Sequence, residues 1–463
     1  MAGISQSNNI LNILKIVYRD GVASLLMRNS PVLRTTKITR TEGKELRYAA
    51  MYGRGGACGG DYTIVKAQAV ETARNVEWKT VPGQIFSALT INQKEILASK
   101  TRKGAYMTVL GNKVFAALEA ERKQLAKAFY GTGYGEFGVA STDGTLTVGS
   151  NTITLQEEEV IGIDVGSQFR FITPGTDGTL GSSATVGVSV NTVTLIDGNT
   201  VTFTATNADE YDVGDVLCYE GSRDANSMPL LPVGLGSWIP TIGNRTGTAW
   251  TNYINVPLYG VNRAQATDRL AGQFVLSPTS GYKIADVISE LFRKCRRAGA
   301  VDQMIIINDR KYAELIAEIQ AQTAYWQSIN DGNKASKTGA TAGFNEIAFA
   351  FSTSWLSRVV DDPYCPYNQV YIVEKDIIEL MTYSNADKVI NDGISDNEPG
   401  KADPESEDGA NYDQQGARIN IEDLVTIEPG VATQEGPCHC VSFNIYGTFV
   451  VYNTSICGVA VLQ

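Results

Sequence analysis

The chain has 463 residues, with 39 Lys and Arg against 50 Asp and Glu, and the resulting net charge of -11 argues against a dedicated nucleic-acid binder. Apolar residues make up 43% and aromatics 9%, enough for substantial cores, and the length points to two or three structural units rather than one large core. The single histidine, His439, removes Ser-His and Cys-His relays and multi-histidine metal sites, and leaves only carboxylate chemistry open.

The seven cysteines, Cys58, Cys218, Cys295, Cys365, Cys438, Cys440 and Cys457, are odd in number and irregularly spaced, which fits a reducing cytosol and no disulfide framework. Met1 to Asn9 is small and uncharged, and the apolar stretch after it contains Lys15 and Arg19, so no signal peptide is expected. That stretch (Ile10, Leu11, Ile13, Leu14, Ile16, Val17, then Leu25 and Leu26) gives an N-terminal arm, ended by Pro31, whose apolar side needs a surface to lie on. A basic segment with Arg34, Lys37, Arg40, Lys44, Arg47 and Arg54 follows, and then Gly53, Gly55, Gly56, Gly59 and Gly60. The glycine cluster reads as a hinge or irregular loop, because no Lys-Ser/Thr follows it to make a phosphate-cradling loop.

From Asp61 to Trp78 residues alternate with strand period, Pro82-Gly83 breaks the run, and Gln84 to Ile96 is extended again. This predicts a long two-stranded arm with glycines at its root, too long to be stable alone and therefore lying on another molecule. Lys103 to Tyr130 then carries Tyr106, Leu110, Val114, Ala117, Leu118, Leu125 and Phe129 at three- and four-residue spacing, and Gly131 and Gly133 stop it. At 1.5 Å per residue this predicts a helical strut about 40 Å long.

Val139 to Val233 shifts abruptly to Thr, Val, Gly, Ser and Asp, contains no lysine, and has 13 acidic residues against Arg170 and Arg223. Turn pairs such as Asp143-Gly144, Asp177-Gly178 and Asp197-Gly198 separate predicted strands at Thr152 to Leu155, Gln168 to Ile172, Val186 to Ile196 and Thr200 to Ala205, a separate β-rich insertion that faces water or cationic partners. Helices are expected over Ile284 to Cys295 and Asp309 to Gln322, the second capped by Asn308 or Asp309, with strands at Met304 to Asn308 and Val370 to Val373. The acidic run from Asp392 to Asp413 lacks the spacing of a calcium loop and reads as solvated. Cys438-His439-Cys440 lacks a second Cys/His pair to close a zinc site, and Val441 to Leu462, broken by Asn444, Gly447, Asn453 and Gly458, reads as strands and a turn rather than a membrane span. Carboxylates occur in runs such as Glu157-Glu158-Glu159, with no pair singled out for acid-base work, so no enzyme is expected. The charge is uneven: Met1 to Tyr130 holds 20 Lys and Arg against 9 Asp and Glu, so one part suits a polyanion and the rest repels it.

The order of these parts resembles the major capsid proteins of tailed double-stranded DNA bacteriophages, with the α+β Hong Kong-type capsid fold. The stretches that carry the resemblance are ILNILKIVYRDGVASLLMRNSPVL, the arm from Asp61 to Leu97, KGAYMTVLGNKVFAALEAERKQLAKAFYGTG, MIIINDRKYAELIAEI and VVDDPYCPYNQVYIVEKDIIEL. The insertion ending YDVGDVLCYEG, followed by LPVGLGSWI, is similar to β-rich insertions that some members carry. The resemblance divides the chain into an N-terminal arm (1–60), an extended hairpin loop (61–97), a spine helix with the start of a peripheral domain (98–138) and an insertion domain (139–235). Peripheral and axial α/β segments (236–360), an axial domain with the acidic loop (361–430) and C-terminal peripheral strands (431–463) complete it.

The implied function is a structural protein that self-assembles as hexamers and pentamers into an icosahedral shell around phage double-stranded DNA. The resemblance implies no cofactor, no metal and no catalytic residue. The implied partners are further copies, a separate scaffolding protein, a portal protein, a decoration or cement protein and, without sequence specificity, the packaged DNA; no membrane is involved. The implied place is the virion capsid, assembled in the bacterial host cytoplasm. Arg74, Glu77, Trp78, Lys79 and Pro82 are the expected inter-subunit contacts, and Lys15, Arg19, Lys113, Arg122, Lys123 and Lys127 the expected genome-facing cations. An encapsulin-like compartment, a tail-tube or adhesin protein and a carboxylate-dependent hydrolase stand as alternatives.

Overall fold

The computed structural model describes residues 30–40, 45–53, 57–68, 74–92, 109–322, 348–352, 355–382, 425–428 and 438–463. The N-terminal arm over Ile10 to Leu26, with Lys15 and Arg19, and the acidic run from Asp392 to Asp413 lie outside these residues. Helix α1 (Pro31–Thr35) opens with proline at its first position and is capped by Ser30, whose Oγ accepts from the Leu33 N–H at 3.4 Å. Strands β1 (Lys37–Arg40) and β2 (Leu46–Met51), helix α2 (Tyr62–Gln68), strands β3 (Asn75–Thr80) and β4 (Gly83–Asn92) and the long helix α3 (Val109–Tyr130) follow. The 22 residues of α3 span about 33 Å, the strut that the periodicity predicts.

The extended arm predicted over Asp61 to Leu97 is corrected. Tyr62–Gln68 is helical, because Asp61 Oδ1 accepts the Thr63 N–H at 2.8 Å and Ala67 and Gln68 tolerate helix as readily as strand. β3 pairs backwards with β2, from Leu46–Thr80 to Met51–Asn75, and makes a two-stranded ribbon with the glycine loop and α2 at its far end rather than at its root. β4 pairs instead with the C-terminal strand Cys438–Val451 (β21) over ten residues. Pro82-Gly83 is thus a bend between two sheets, and glycine is needed there because a Cβ at Gly83 would lie 2.4 Å from the Leu231 carbonyl carbon.

After α3 the chain builds a unit with its own core. Strands β5 (Glu136–Val139), β6 (Gly144–Leu146), β7 (Gly149–Thr154), β8 (Gln168–Thr173), β9 (Thr185–Val186), β10 (Asn191–Asp197), β11 (Thr200–Ala205), β12 (Asp209–Tyr211) and β13 (Val216–Tyr219) form a seven-stranded sheet in the order β5-β13-β8-β10-β11-β7, with β9 on β8, and a separate β6–β12 pair. The inward faces meet in an aromatic centre in which Phe169 packs edge-on against Phe137, Phe171 and Phe203. The strand predicted over Val186 to Ile196 is split: Gly187 N–H still donates to Phe171 O of β8 at 2.8 Å, but the Ser189 N–H turns to the Asp209 carboxylate at 3.2 Å before β10 begins at Asn191.

The main body holds the larger core. Strands β14 (Gln273–Leu276), β15 (Gln303–Ile307), β16 (Ala348–Ser352), β17 (Trp355–Asp361), β18 (Gln369–Glu374) and β22 (Gly458–Val461) form a mixed six-stranded sheet, ordered β14-β22-β18-β15-β17-β16. Helix α4 (Ile284–Arg297) buries Ile284, Val287, Ile288, Leu291, Phe292 and Cys295, a stripe at helical spacing. Helix α5 (Asp309–Gln322) starts where Asn308 Oδ1 accepts the Arg310 N–H at 3.0 Å. A second sheet, β1-β19-β21-β20 with β4 on β21, adds β19 (Ile378–Thr382) and β20 (Val425–Glu428). One continuous core, from Leu125 and Phe129 of α3 through Ile305, Ile372 and Val459 to Phe449, joins the two sheets.

Candidate assembly surface

The ribbon has a closed root. Trp78 is only 2% exposed and lies 4.9 Å, ring to ring, from Trp238, while Tyr48 on β2 stacks on it at 6.3 Å and meets Tyr452 edge-on at 5.3 Å. Trp238 Nε1 donates to Phe449 O at 2.8 Å and Tyr48 OH to Val451 O at 3.2 Å, so both of these rings are tied to the C-terminal strand β21. The Lys79 N–H donates to Tyr259 O at 3.1 Å, and Tyr259 stands at φ 48 beside Gly260 at φ 85, a left-handed pair that makes the tight turn holding the ribbon.

One side of the far end is held, since Tyr52 OH donates to Gln265 Oε1 at 2.7 Å and Arg269 Nη1 donates to Tyr52 O, and the rest is exposed. Met51 is 70% exposed, Tyr62 77% and Ile64 57%, and in α2 only Val65 is half-buried among the described side chains. Lys66, Arg74 and Lys79 are exposed and have no ion-pair partner among the described residues, whereas Glu77 faces Arg47 at 3.7 Å. A seven-residue helix is far too short to persist in water unaided, and the described residues of its own chain cover little of this one. Of the five predicted contacts, Arg74, Glu77 and Lys79 are presented outward and Pro82 is half-buried at the bend. Trp78 is corrected: its ring is spent inside the subunit. Sequence reading missed Tyr62 and Ile64, although an Asp61 cap ahead of helix-tolerant residues marks a helix start.

The cations of α3 are turned inward. Lys123 Nζ sits 2.7 and 3.0 Å from the two oxygens of Asp164, and Lys127 Nζ donates to Glu158 O at 3.1 Å, so both tie the helix to the β5–β13 unit. Burial holds the Lys127 ammonium below its ordinary range, only partly offset by Glu159 and Glu158. The genome-facing expectation is therefore corrected for Lys123 and Lys127, which are not free to meet phosphates. Arg122 is half-buried and engaged, and the Lys113 side chain lies outside the described residues. Glu121, 1% exposed, has no well-aligned hydrogen bond on either oxygen, and burial pushes its carboxyl up to about 8 although the Ser87 amide of β4 partly offsets this.

The two passes that lead into and out of the β5–β13 unit bond to each other, with Leu231 N–H to Gly133 O and Gly234 N–H to Gly131 O, both at 3.1 Å. Gly234 is required there, because a Cβ would lie 2.1 Å from Ala128 O. A cavity of about 10 Å³ beside Lys127, Glu136, Tyr219 and Leu231 has room for about one water and is too small for a substrate. At the same C-terminal end of α3, Asp362 accepts from Tyr130 OH at 3.0 Å, Ser30 Oγ at 3.1 Å and the Tyr364 N–H at 3.0 Å; burial pushes its carboxyl up to about 6. That contact fixes the point where the chain enters α1. Among the described residues no cluster of His, Cys, Asp and Glu could hold a metal ion, and no helix is long and apolar enough to cross a membrane.

No family model matches the sequence, and no curated protein matches it. Solved structures do. A chain of the cyanophage A-1(L) capsid asymmetric unit is similar at a TM-score of 0.50 and 12% identity, with 98% of this chain and 97% of that one covered. A structure from Mycobacterium phage Adephagia (TM-score 0.41, 11% identity, 100% and 99% covered) and the capsid of a native GTA particle (TM-score 0.42, 7% identity, 96% and 99% covered) are also similar. The full-length likeness to the cyanophage chain shows the fold: this is the Hong Kong-type capsid fold, of mixed α+β class.

Proposed function

We propose that this chain is a major capsid protein, which assembles as hexamers and pentamers into an icosahedral shell around phage double-stranded DNA. The observation that carries the reading is the likeness in fold, over 98% of this chain and 97% of the other, to a chain of a phage capsid asymmetric unit. Two features of the subunit support it: a ribbon locked at its root and unsatisfied at its far end, and a long strut between two sheets. The role is structural rather than enzymatic. We assign the ribbon's Arg74, Glu77 and Lys79, together with Met51, Tyr62 and Ile64, to contacts between copies. Lys15, Arg19, Lys113 and Arg122 are the cations proposed to face the DNA, through phosphates and without base readout. Scaffolding, portal and decoration proteins are the proposed partners, and the virion capsid, assembled in the bacterial cytoplasm, is the proposed location.

Electron microscopy of the purified full chain, produced with and without its neighbouring phage structural proteins, tests this. Closed icosahedral shells are expected. Helical tubes would favour a tail protein, small uniform shells enclosing an enzyme an encapsulin, and monomers at every concentration would overturn the assignment.

A further inference from the structure

The β5–β13 unit carries an exposed patch that matches the far end of the ribbon in character and opposes it in charge. Val139 and Val213 are both exposed and lie on adjoining stretches of chain, which Ala140 N–H to Asp215 O at 2.8 Å and Gly214 N–H to Ala140 O at 2.9 Å hold together. Around them stand exposed Asp143, whose Oδ1 accepts the Val213 N–H at 2.8 Å, and exposed Glu210 and Asp212, none with an ion-pair partner among the described residues. The ribbon end offers the complement: apolar Met51, Tyr62 and Ile64 beside Lys66 and Arg74, which have no ion-pair partner among the described residues, with Tyr62 and Lys66 four apart on one face of α2. Neither surface is covered by the described residues of its own chain. Residues 139–233 hold 13 acidic side chains and two basic ones, so the unit repels its own kind and attracts a cationic surface.

We infer that the far end of the ribbon of one copy docks on the Val139–Val213 patch of a second copy. Apolar contact at the centre is rimmed by Lys66 and Arg74 of one chain against Glu210 and Asp212 of the other. This rests on the self-assembly reading and adds the surface on which the ribbon lands.

Two measurements test it on the full chain. Shell yield is measured for Lys66→Glu with Arg74→Glu, for Glu210→Lys with Asp212→Lys, and for the fourfold variant. Each pair alone should lower the yield by about tenfold or more, and the combination should recover most of it. A fourfold variant no better than the worse pair, or a Glu210/Asp212 reversal that leaves the yield unchanged, overturns the docking while wild-type shells leave the capsid reading intact. The second measurement covers variants that fail to fold and does not need shells. In a Cys58→Ser background, chains with Ile64→Cys are co-produced with chains carrying Val213→Cys and oxidised in whatever oligomer forms. A covalent dimer that requires both substitutions supports the docking, and its absence from oligomers overturns it.

Discussion

The two ends of the β2–β3 ribbon are built from the same strands yet obey opposite rules. At the root, Tyr48 and Trp78 are enclosed by Trp238, Tyr259 and Tyr452, and the polar ends of Tyr48 and Trp238 donate to backbone carbonyls while those of Tyr259 and Tyr452 meet Thr448 and Glu379. At the far end, Met51, Tyr62 and Ile64 are exposed, and Lys66 and Arg74 have no ion-pair partner among the described residues. Burial at the root stabilises the subunit and fixes the direction of the ribbon. The exposed apolar side chains at the far end add little to the subunit, and under the assembly proposed above, removing that surface from water would contribute to association.

The contrast can be broken most severely at the root. Trp78→Ala should cost about 3 to 5 kcal/mol of subunit stability, because it empties a space between Tyr48 and Trp238 that nothing nearby can fill. Urea unfolding of the assembly-incompetent subunit gives the number, and a loss under about 1 kcal/mol would mean the root is not a core. A smaller effect of opposite sign is expected at Glu121, which packs on β4 just beyond the root. Its folded carboxyl, raised to about 8 from an ordinary 4.5, favours the folded state at low pH, and that advantage is lost as pH rises through 8. Glu121→Gln should therefore flatten the decline and be more stable than wild type at pH 9 by on the order of 2 kcal/mol. Parallel pH profiles of the two proteins would contradict the buried-acid reading.

Asp164→Asn should cost about 1 kcal/mol, since it leaves the Lys123 ammonium buried against a neutral amide. The loss should show as faster hydrogen exchange in β8 and β10, near Asp164, rather than in α4. The smallest effect on the subunit is the sharpest test. Tyr62→Ser with Ile64→Ser should change subunit stability by less than about 0.5 kcal/mol and yet abolish shells, as scored by sedimentation. Normal shells from that variant would move the assembly contacts elsewhere.

What the sequence made legible was whatever depends on neighbours along the chain. The period of Leu125 and Phe129, the stripe of α4, the Asn308 cap and the turn pairs between short Thr-Val strands each set their element locally. Pairing was not legible. Alternation in 75–80 gives a strand but not its partner, and both partners, Leu46–Met51 and, for β4, Cys438–Val451, are chosen by the packing of distant segments. The same holds for side-chain direction. Lys123 and Lys127 look like any surface cations in sequence, and only the arrival of Asp164 and the Glu158 carbonyl against α3 decides that they are enclosed. Trp78 was misjudged for the same reason: an aromatic in a strand marks burial, and the sequence does not say whether its own chain or another supplies the cover.

The paired passes Gly131–Gly133 and Leu231–Gly234 act as a stem. Because the two sides of that stem are bonded to each other and Gly234 lies flush against the end of α3, a displacement of the β5–β13 unit is carried to that end of the helix, which Lys123 and Lys127 also tie to the unit.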